Sequence, residues 1–230
     1  GENQSYSVDV SQLGGMYAEK IHLVDNGQGL GVRNAGHIGA SAGSVKIDSQ
    51  GKIVNEGFIG GSENAQLNAK KNIENRGTVY AKAQTQLNAQ NIDNKQGVIA
   101  GKQVQLNANN VDNRKQSDKG SLIVASEKVS IKTKNLDNSG TKSNGKNEQG
   151  RKATALELQA DNVTNQQGGI YASKKADISL KDKLVNHQGE ILSDGELHIK
   201  GDKNTASIDN NEGRIHAGEK LSITAKKLVN

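Results

Sequence analysis

Residues 75–93 read NRGTVYAKAQTQLNAQNID. Three short apolar stations lie in this stretch: Val79 with Ala81, Thr85 with Leu87, and Ile92 alone. Within a station the apolar residues alternate with polar ones, the period of two that a strand with one buried face requires. Gly, Asn, Gln and Lys fill the intervals, and these residues favour turns and solvent. The stretch therefore predicts one coil of three short strands, each turned from the last. A helix is excluded, because no window keeps apolar residues at i, i+3, i+4 and i+7 for more than a turn.

Working outward, the same unit recurs along the chain. Ten times an aliphatic residue is followed two positions later by asparagine: Val32–Asn34, Ile53–Asn55, Ile73–Asn75, Ile92–Asn94, Val111–Asn113, Leu136–Asn138, Val163–Asn165, Leu184–Asn186, Ile208–Asn210 and Leu228–Asn230. Successive asparagines are 19 to 27 residues apart. A first station aligns Ile38, Ile59, Val79, Ile99, Ile123, Ile170, Ile191 and Ile215, and a second aligns pairs such as Val45/Ile47, Thr85/Leu87, Leu156/Leu158 and Ile178/Leu180. Self-similarity at such a period is the mark of stacked units. One coil alone exposes unpaired backbone above and below, so stacking must satisfy those groups and bury three apolar columns. The fold predicted is all-β: a right-handed parallel β-helix, or solenoid, of about ten coils of ~20 residues with three short strands per coil, roughly 45–50 Å long. The corner asparagines are expected in the left-handed conformation, with their amides bonded coil to coil in a ladder. The glycines that follow (Gly36, Gly57, Gly77, Gly97, Gly168, Gly189, Gly213) are expected to relieve the same corner.

Residues 1–31 fit the repeat less well and read as a lead-in and degenerate first coil starting near Leu13. Residues 32–230 read as continuous repeats with polar insertions at 113–120, 139–153 and 200–206. Asn230 opens a further repeat, which predicts a piece of a longer chain.

Composition limits the alternatives. Aromatics are 2% of the chain, apolar residues 32%, and cysteine and proline are absent. Such a chain approaches disorder, and only the aliphatics in register oppose it. No stretch has the apolar length of a membrane span, which predicts no membrane insertion. The net charge is +5 from 30 basic and 25 acidic residues in mixed order. A nucleic-acid binder concentrates its positive charge and adds aromatic stacking surfaces, so none is predicted here.

Leu13-Gly14-Gly15-Met16-Tyr17-Ala18, Gly29-Leu30-Gly31-Val32-Arg33-Asn34-Ala35-Gly36 and Gly39-Ala40-Ser41-Ala42-Gly43 resemble the segment that opens the haemagglutinin repeat region of filamentous-haemagglutinin-type exoproteins. These include adhesins and the stalks of contact-dependent inhibition proteins, and the later repeats resemble those that follow in the family. The resemblance implies two-partner secretion through an outer-membrane transporter that recognises a region outside this stretch. It also implies a secreted or cell-surface location and a place in a long shaft; adhesin and inhibition stalk remain open.

Residues with chemistry are sparse. Asp93, Asp112, Asp137 and Asp209 occupy one repeat position, where corner capping is the simpler reading than the paired carboxylates of a sugar-cleaving enzyme. The five histidines lack metal-ligand spacing, and no catalytic residue, metal or cofactor is predicted. Lysines recur after the second station (Lys70, Lys71, Lys134, Lys181, Lys183, Lys226, Lys227), but Gln90, Asn109 and Asp161 interrupt them. For contact with a sulfated glycan or a host-cell receptor the better candidates are Arg114, Lys115, Lys119, Lys146, Arg151 and Lys152, on the first two insertions.

Overall fold

A computed structural model describes residues 5–27, 29–143 and 152–230. They form 24 strands and no helix among the described residues. Every strand pairing is parallel, and the chain winds as a β-solenoid of about ten turns. Three ladders run along it. The first begins with Gly15–Ala18, His37–Ala40 and Phe58–Gly61, the second with Ile21–Asp25, Val45–Ser49 and Asn64–Ala69, and the third with Val8–Val10, Gly31–Asn34 and Lys52–Asn55. Val8–Val10 is paired in register with Val32–Asn34, so ordered stacking is already under way ahead of Leu13.

Like stacks on like. In the third ladder Ile53, Ile73, Ile92, Val111, Leu136, Val163, Leu184, Ile208 and Leu228 follow one another in register. In the first, Met16, Ile38, Ile59, Val79, Ile99 and Ile123 do so, then Ile170, Ile191 and Ile215. These side chains and the second-station pairs make one continuous core, with Ile38, Ile59, Leu67, Ile73, Leu87 and Leu106 wholly buried. Each such side chain contributes roughly 1.5–3 kcal/mol by leaving water, which compensates for the near absence of aromatics. Where two stations follow closely they merge into one bent strand: Thr78–Asn88 pairs throughout with its neighbour, with a bulge between Ala81 and Gln84.

One second-station assignment is corrected. Ala176 and Ile178, not Ile178 and Leu180, stack on Leu156/Leu158 and beneath Leu197/Ile199. Leu180 lies one inward place further on, level with Ala160 and Gly201. Both neighbours are small, so the larger side chain fits there, and alanine takes a place that elsewhere holds a longer aliphatic.

Near the amino end the core admits a charge. Asp25 is buried, and Ser7 Oγ and Ser49 Oγ donate to its carboxylate, the latter at 2.8 Å, with the Gly27 amide at 3.1 Å. Burial opposes its ionisation, but the bonds from Ser7, Ser49 and the Gly27 and Gly51 amides outweigh it and hold its pKa below the ordinary value. A folded-state pKa below the unfolded one stabilises above the unfolded pKa, and that stability is lost as pH falls through the folded one. The first coils are therefore expected to loosen below about pH 4. Hydrogen exchange should show residues 7–31 losing protection there before residues 59–107, and Asp25→Asn should flatten the difference. Uniform acid loosening in both segments would contradict this.

Candidate functional site: a buried asparagine spine and a basic corner

Of the ten corner asparagines, the nine from Asn34 to Asn210 are buried, and all ten bond to one another along the solenoid. Nδ2 of each donates to Oδ1 of the next: Asn34 to Asn55 at 3.0 Å, Asn75 to Asn94 at 2.9 Å, Asn113 to Asn138 at 2.9 Å, Asn138 to Asn165 at 3.0 Å, and onward to Asn210 and Asn230 at 2.7 Å. No step is missing between Asn34 and Asn230. Nδ2 also donates to the carbonyl that opens the next coil, as from Asn34 to Phe58 at 2.9 Å and from Asn94 to Leu122 at 3.0 Å. Oδ1 of Asn34 and of Asn55 accepts the amide two residues on, from Gly36 and Gly57. The backbone thus sets which way each amide points, and all dipoles align head to tail, which strengthens each bond.

The ladder was expected, but the corner conformation is corrected. None of the ten asparagines is left-handed. That conformation falls on Gln167, Gln188 and Glu212, each two residues after an asparagine, and on Ser121. Nor do the seven glycines serve φ; they serve approach. A Cβ on Gly57 would lie 2.0 Å from the Gly36 carbonyl oxygen, and one on Gly77 2.0 Å from that of Gly57. The coils pass so closely at this edge that no side chain fits between them.

Two outer ladders escaped the sequence reading. Asn91, Asn110, Asn135 and Asn162 each donate to the preceding coil, beginning at Asn72, and Asn68, Asn88 and Asn107 do the same beginning at Asp48. Their signal was present: an asparagine precedes the third-station aliphatic by one position in five consecutive coils.

Two of the expected insertions begin, after Asn113 and after Asn138, at the same corner in consecutive coils, where the Lys115 amide donates to the Ser139 carbonyl at 2.9 Å. The third, after Gly201, is a tight turn in which Asp202 caps the amides of Asn204 and Thr205. Of the six basic candidates, Lys146 and Arg151 lie outside the described residues. Arg114 is engaged: it meets Asp112 at 2.8 Å and Asp137 at 3.8 Å. Lys95 bridges Asp93 at 2.9 Å and Asp112 at 3.3 Å, extending the same chain of charges. Burial resists ionisation of Asp112, but the Arg114 and Lys95 hydrogen bonds prevail and lower its pKa, while its carboxylate raises that of Arg114. Lys152 is engaged too, 3.2 Å from Asp194 with its side chain only 9% exposed. Lys115 and Lys119 are exposed and have no ion-pair partner among the described residues.

The aspartates at the repeat position act as caps. Asp93, Asp112, Asp137 and Asp209 each accept the amide two residues on, from Lys95, Arg114, Ser139 and Asn211. On the outer surface of the second ladder lies a shallow polar groove of about 610 Å³ lined by Gln84, Gln103, Gln105, Ser130, Glu157 and Asp177. Its two carboxylates are held by lysines, Glu157 by Lys128 at 3.0 Å and Asp177 by Lys175 at 3.6 Å. Among the described residues no group of three or more His, Asp or Glu side chains is placed to hold a metal.

A continuous parallel solenoid with a polar inner spine, uniform along its length, defines an elongated repeat protein. The sequence profile of the haemagglutinin repeat matches residues 3–57, 62–140 and 194–230, well over half the chain. The chain belongs to the haemagglutinin repeat family. It is 48% identical over 79 residues to a protein named toxin CdiA from Yersinia pestis, covering 34% of this chain and 2% of that one. It is 46% identical over 57 residues to tRNA nuclease CdiA-2 of Burkholderia pseudomallei strain 1026b, covering 25% and 2%. Over 54 residues it is 43% identical to the 16S rRNA endonuclease CdiA of Enterobacter cloacae, covering 24% and 2%. The matches thus span about 2% of the length of these curated relatives. No solved structure matches.

Proposed function

We propose that this chain is a non-catalytic shaft segment of a large secreted or surface-displayed exoprotein acting in adhesion or contact-dependent inhibition. The observation that carries this reading is the asparagine spine, which passes both corner insertions without a break. Each coil bonds only to its neighbours, so length grows by adding coils while the cross-section stays the same. The chemistry named in the relatives would reside elsewhere in the parent protein, and export would use an outer-membrane two-partner-secretion transporter that reads another region.

A second reading rests on Lys115 and Lys119: these coils would themselves bind a sulfated host glycan or receptor through the basic corner. One experiment addresses both. In the full-length parent, residues 32–230 are exchanged for the same number of coils from another haemagglutinin-repeat stretch. Surface display and target-cell killing or adherence are then measured. A shaft predicts both unchanged. Normal display with activity lost more than about tenfold would sink the shaft reading and turn attention to the corner. Lys115→Glu with Lys119→Glu should then reproduce the loss, and salt should weaken binding of the unsubstituted chain.

A further inference from the structure

The chain has five aromatic side chains, Phe58 and four tyrosines. Two have evident structural employment. Tyr6 lies beneath the Arg33 guanidinium at 4.7 Å, and buried Tyr171 takes the Ser143 amide at 3.0 Å and donates to Glu190 at 2.9 Å. The other three meet on one outward face of the first ladder, where Tyr17, Gly39, Gly60 and Tyr80 stand in register in four consecutive coils. The two tyrosines close the ends of a notch about 290 Å³ in volume, the glycines lie between them, and the rings of His37 and Phe58 complete it. Tyr17, His37 and Phe58 are stacked in turn, with centroids 5.2 and 4.5 Å apart. The glycines are needed there: a Cβ on Gly60 would strike the Phe58 ring at 2.5 Å, and one on Gly39 the His37 ring at 2.9 Å. Tyr17 is 72% and Tyr80 42% exposed, unusual for apolar rings with nothing laid over them.

We propose that this notch binds an uncharged pyranose, a hexose or N-acetylhexosamine unit of a neutral glycan. A pyranose has an apolar C–H face and a rim of hydroxyls, and the notch mirrors this. Ring surfaces make its apolar part, and His37 and Ser41 add polar groups to its lining. Among the described residues the Tyr17 and Tyr80 hydroxyls have no hydrogen-bond partner, so both are available to a ligand. Charge complementarity selects the class. On a chain that is 24% charged, no Lys, Arg, Asp or Glu lines the notch, so a sulfate or carboxylate placed there would meet no charged side chain to offset its lost hydration. The volume sits at the lower end of small-molecule pockets, which run from about 300 to 1,000 Å³, and suits one or two sugar rings. The site is separate from the basic corner and does not rest on the shaft reading: a shaft can carry a weak lectin-like foothold on its side.

The test uses the 230-residue chain and saturation-transfer NMR with methyl mannoside, methyl galactoside, methyl glucoside and N,N′-diacetylchitobiose. A heparin tetrasaccharide is the anionic comparison. At least one neutral probe is expected to receive saturation, strongest on the C–H protons of one ring face and insensitive to salt. Tyr17→Ala or Tyr80→Ala should weaken it about tenfold. Both side chains are exposed, so the urea midpoint should stay put, and that check separates lost binding from lost folding. The proposal is overturned if no neutral probe receives saturation, or if binding survives both substitutions. It is equally overturned if sedimentation reveals a dimer that Tyr17→Ala dissolves, which would mean a second copy of the chain covers this face.

Discussion

Gly77→Ala is expected to destabilise the solenoid by about 3–5 kcal/mol, although it adds one methyl group at an edge rather than in the core. The new Cβ would lie 2.0 Å from the carbonyl oxygen of Gly57, on the coil below. Neither atom can turn aside, because one is fixed by the backbone of its own coil and the other belongs to the backbone. The amide of Thr78 donates to that same Gly57 carbonyl at 2.9 Å, so relief of the clash by parting the coils would break the pairing that starts the next strand. Gly57→Ala, facing the Gly36 carbonyl at 2.0 Å, should behave alike. Gly43→Ala is the comparison: its Cβ meets only the Lys20 side chain within 3.2 Å, and a flexible chain moves aside. It should be neutral or stabilise slightly, since alanine restricts the unfolded chain. Urea unfolding measures both, and limited proteolysis should open Gly77→Ala near residues 55–80. Equal midpoints for Gly77→Ala and Gly43→Ala would refute the close-approach account.

The reason for those glycines was not legible in the sequence, although their recurrence was. A turn glycine and an approach glycine look the same in one dimension, and the difference depends on the distance between two coils. The same limit explains the left-handed corner. Gln167, Gln188 and Glu212 carry no compositional sign of positive φ, and asparagine, which does, sits two positions earlier with its side chain occupied by the spine. Ladder order, by contrast, was legible. Strict alternation and a period near twenty leave only one way to bury Ile53, Ile73 and Ile92 together, and register slips would turn them outward. The exception was Ala176, too small to announce an inward place. At the basic corner the sequence showed charge but not its partners. Lys152 meets Asp194, 42 residues away, and Arg114 meets carboxylates of its own and the next coil. Two candidates that look free on paper are therefore engaged, and two stay open.

Asn94→Ala is expected to cost about 3–5 kcal/mol, because its losses are not confined to its own bonds. Asn94 is wholly buried. It receives Asn75 Nδ2 at 2.9 Å and donates to Asn113 Oδ1 at 2.9 Å and to the Leu122 carbonyl at 3.0 Å. Alanine leaves Asn113 Oδ1 facing a void, and an unsatisfied buried polar atom costs about 1–3 kcal/mol. Asn94→Asp tests whether the hydrogen matters rather than the volume. The carboxylate keeps the shape but puts an acceptor where Nδ2 stood, against both Asn113 Oδ1 and the Leu122 carbonyl, so at neutral pH it should do at least as much harm as alanine. Protonation restores a donor. Burial and facing acceptors raise the folded-state pKa of the new carboxyl above its unfolded value. Its stability relative to the parent chain should therefore be greatest below about pH 4 and fall as pH rises above that, through the raised folded-state pKa. This is the reverse of the acid loosening expected at Asp25, so the two effects separate by sign in one pH series of urea midpoints. If Asn94→Asp matched the parent chain at neutral pH, the spine would be a row of well-packed side chains and not the hydrogen-bonded column that holds one coil to the next.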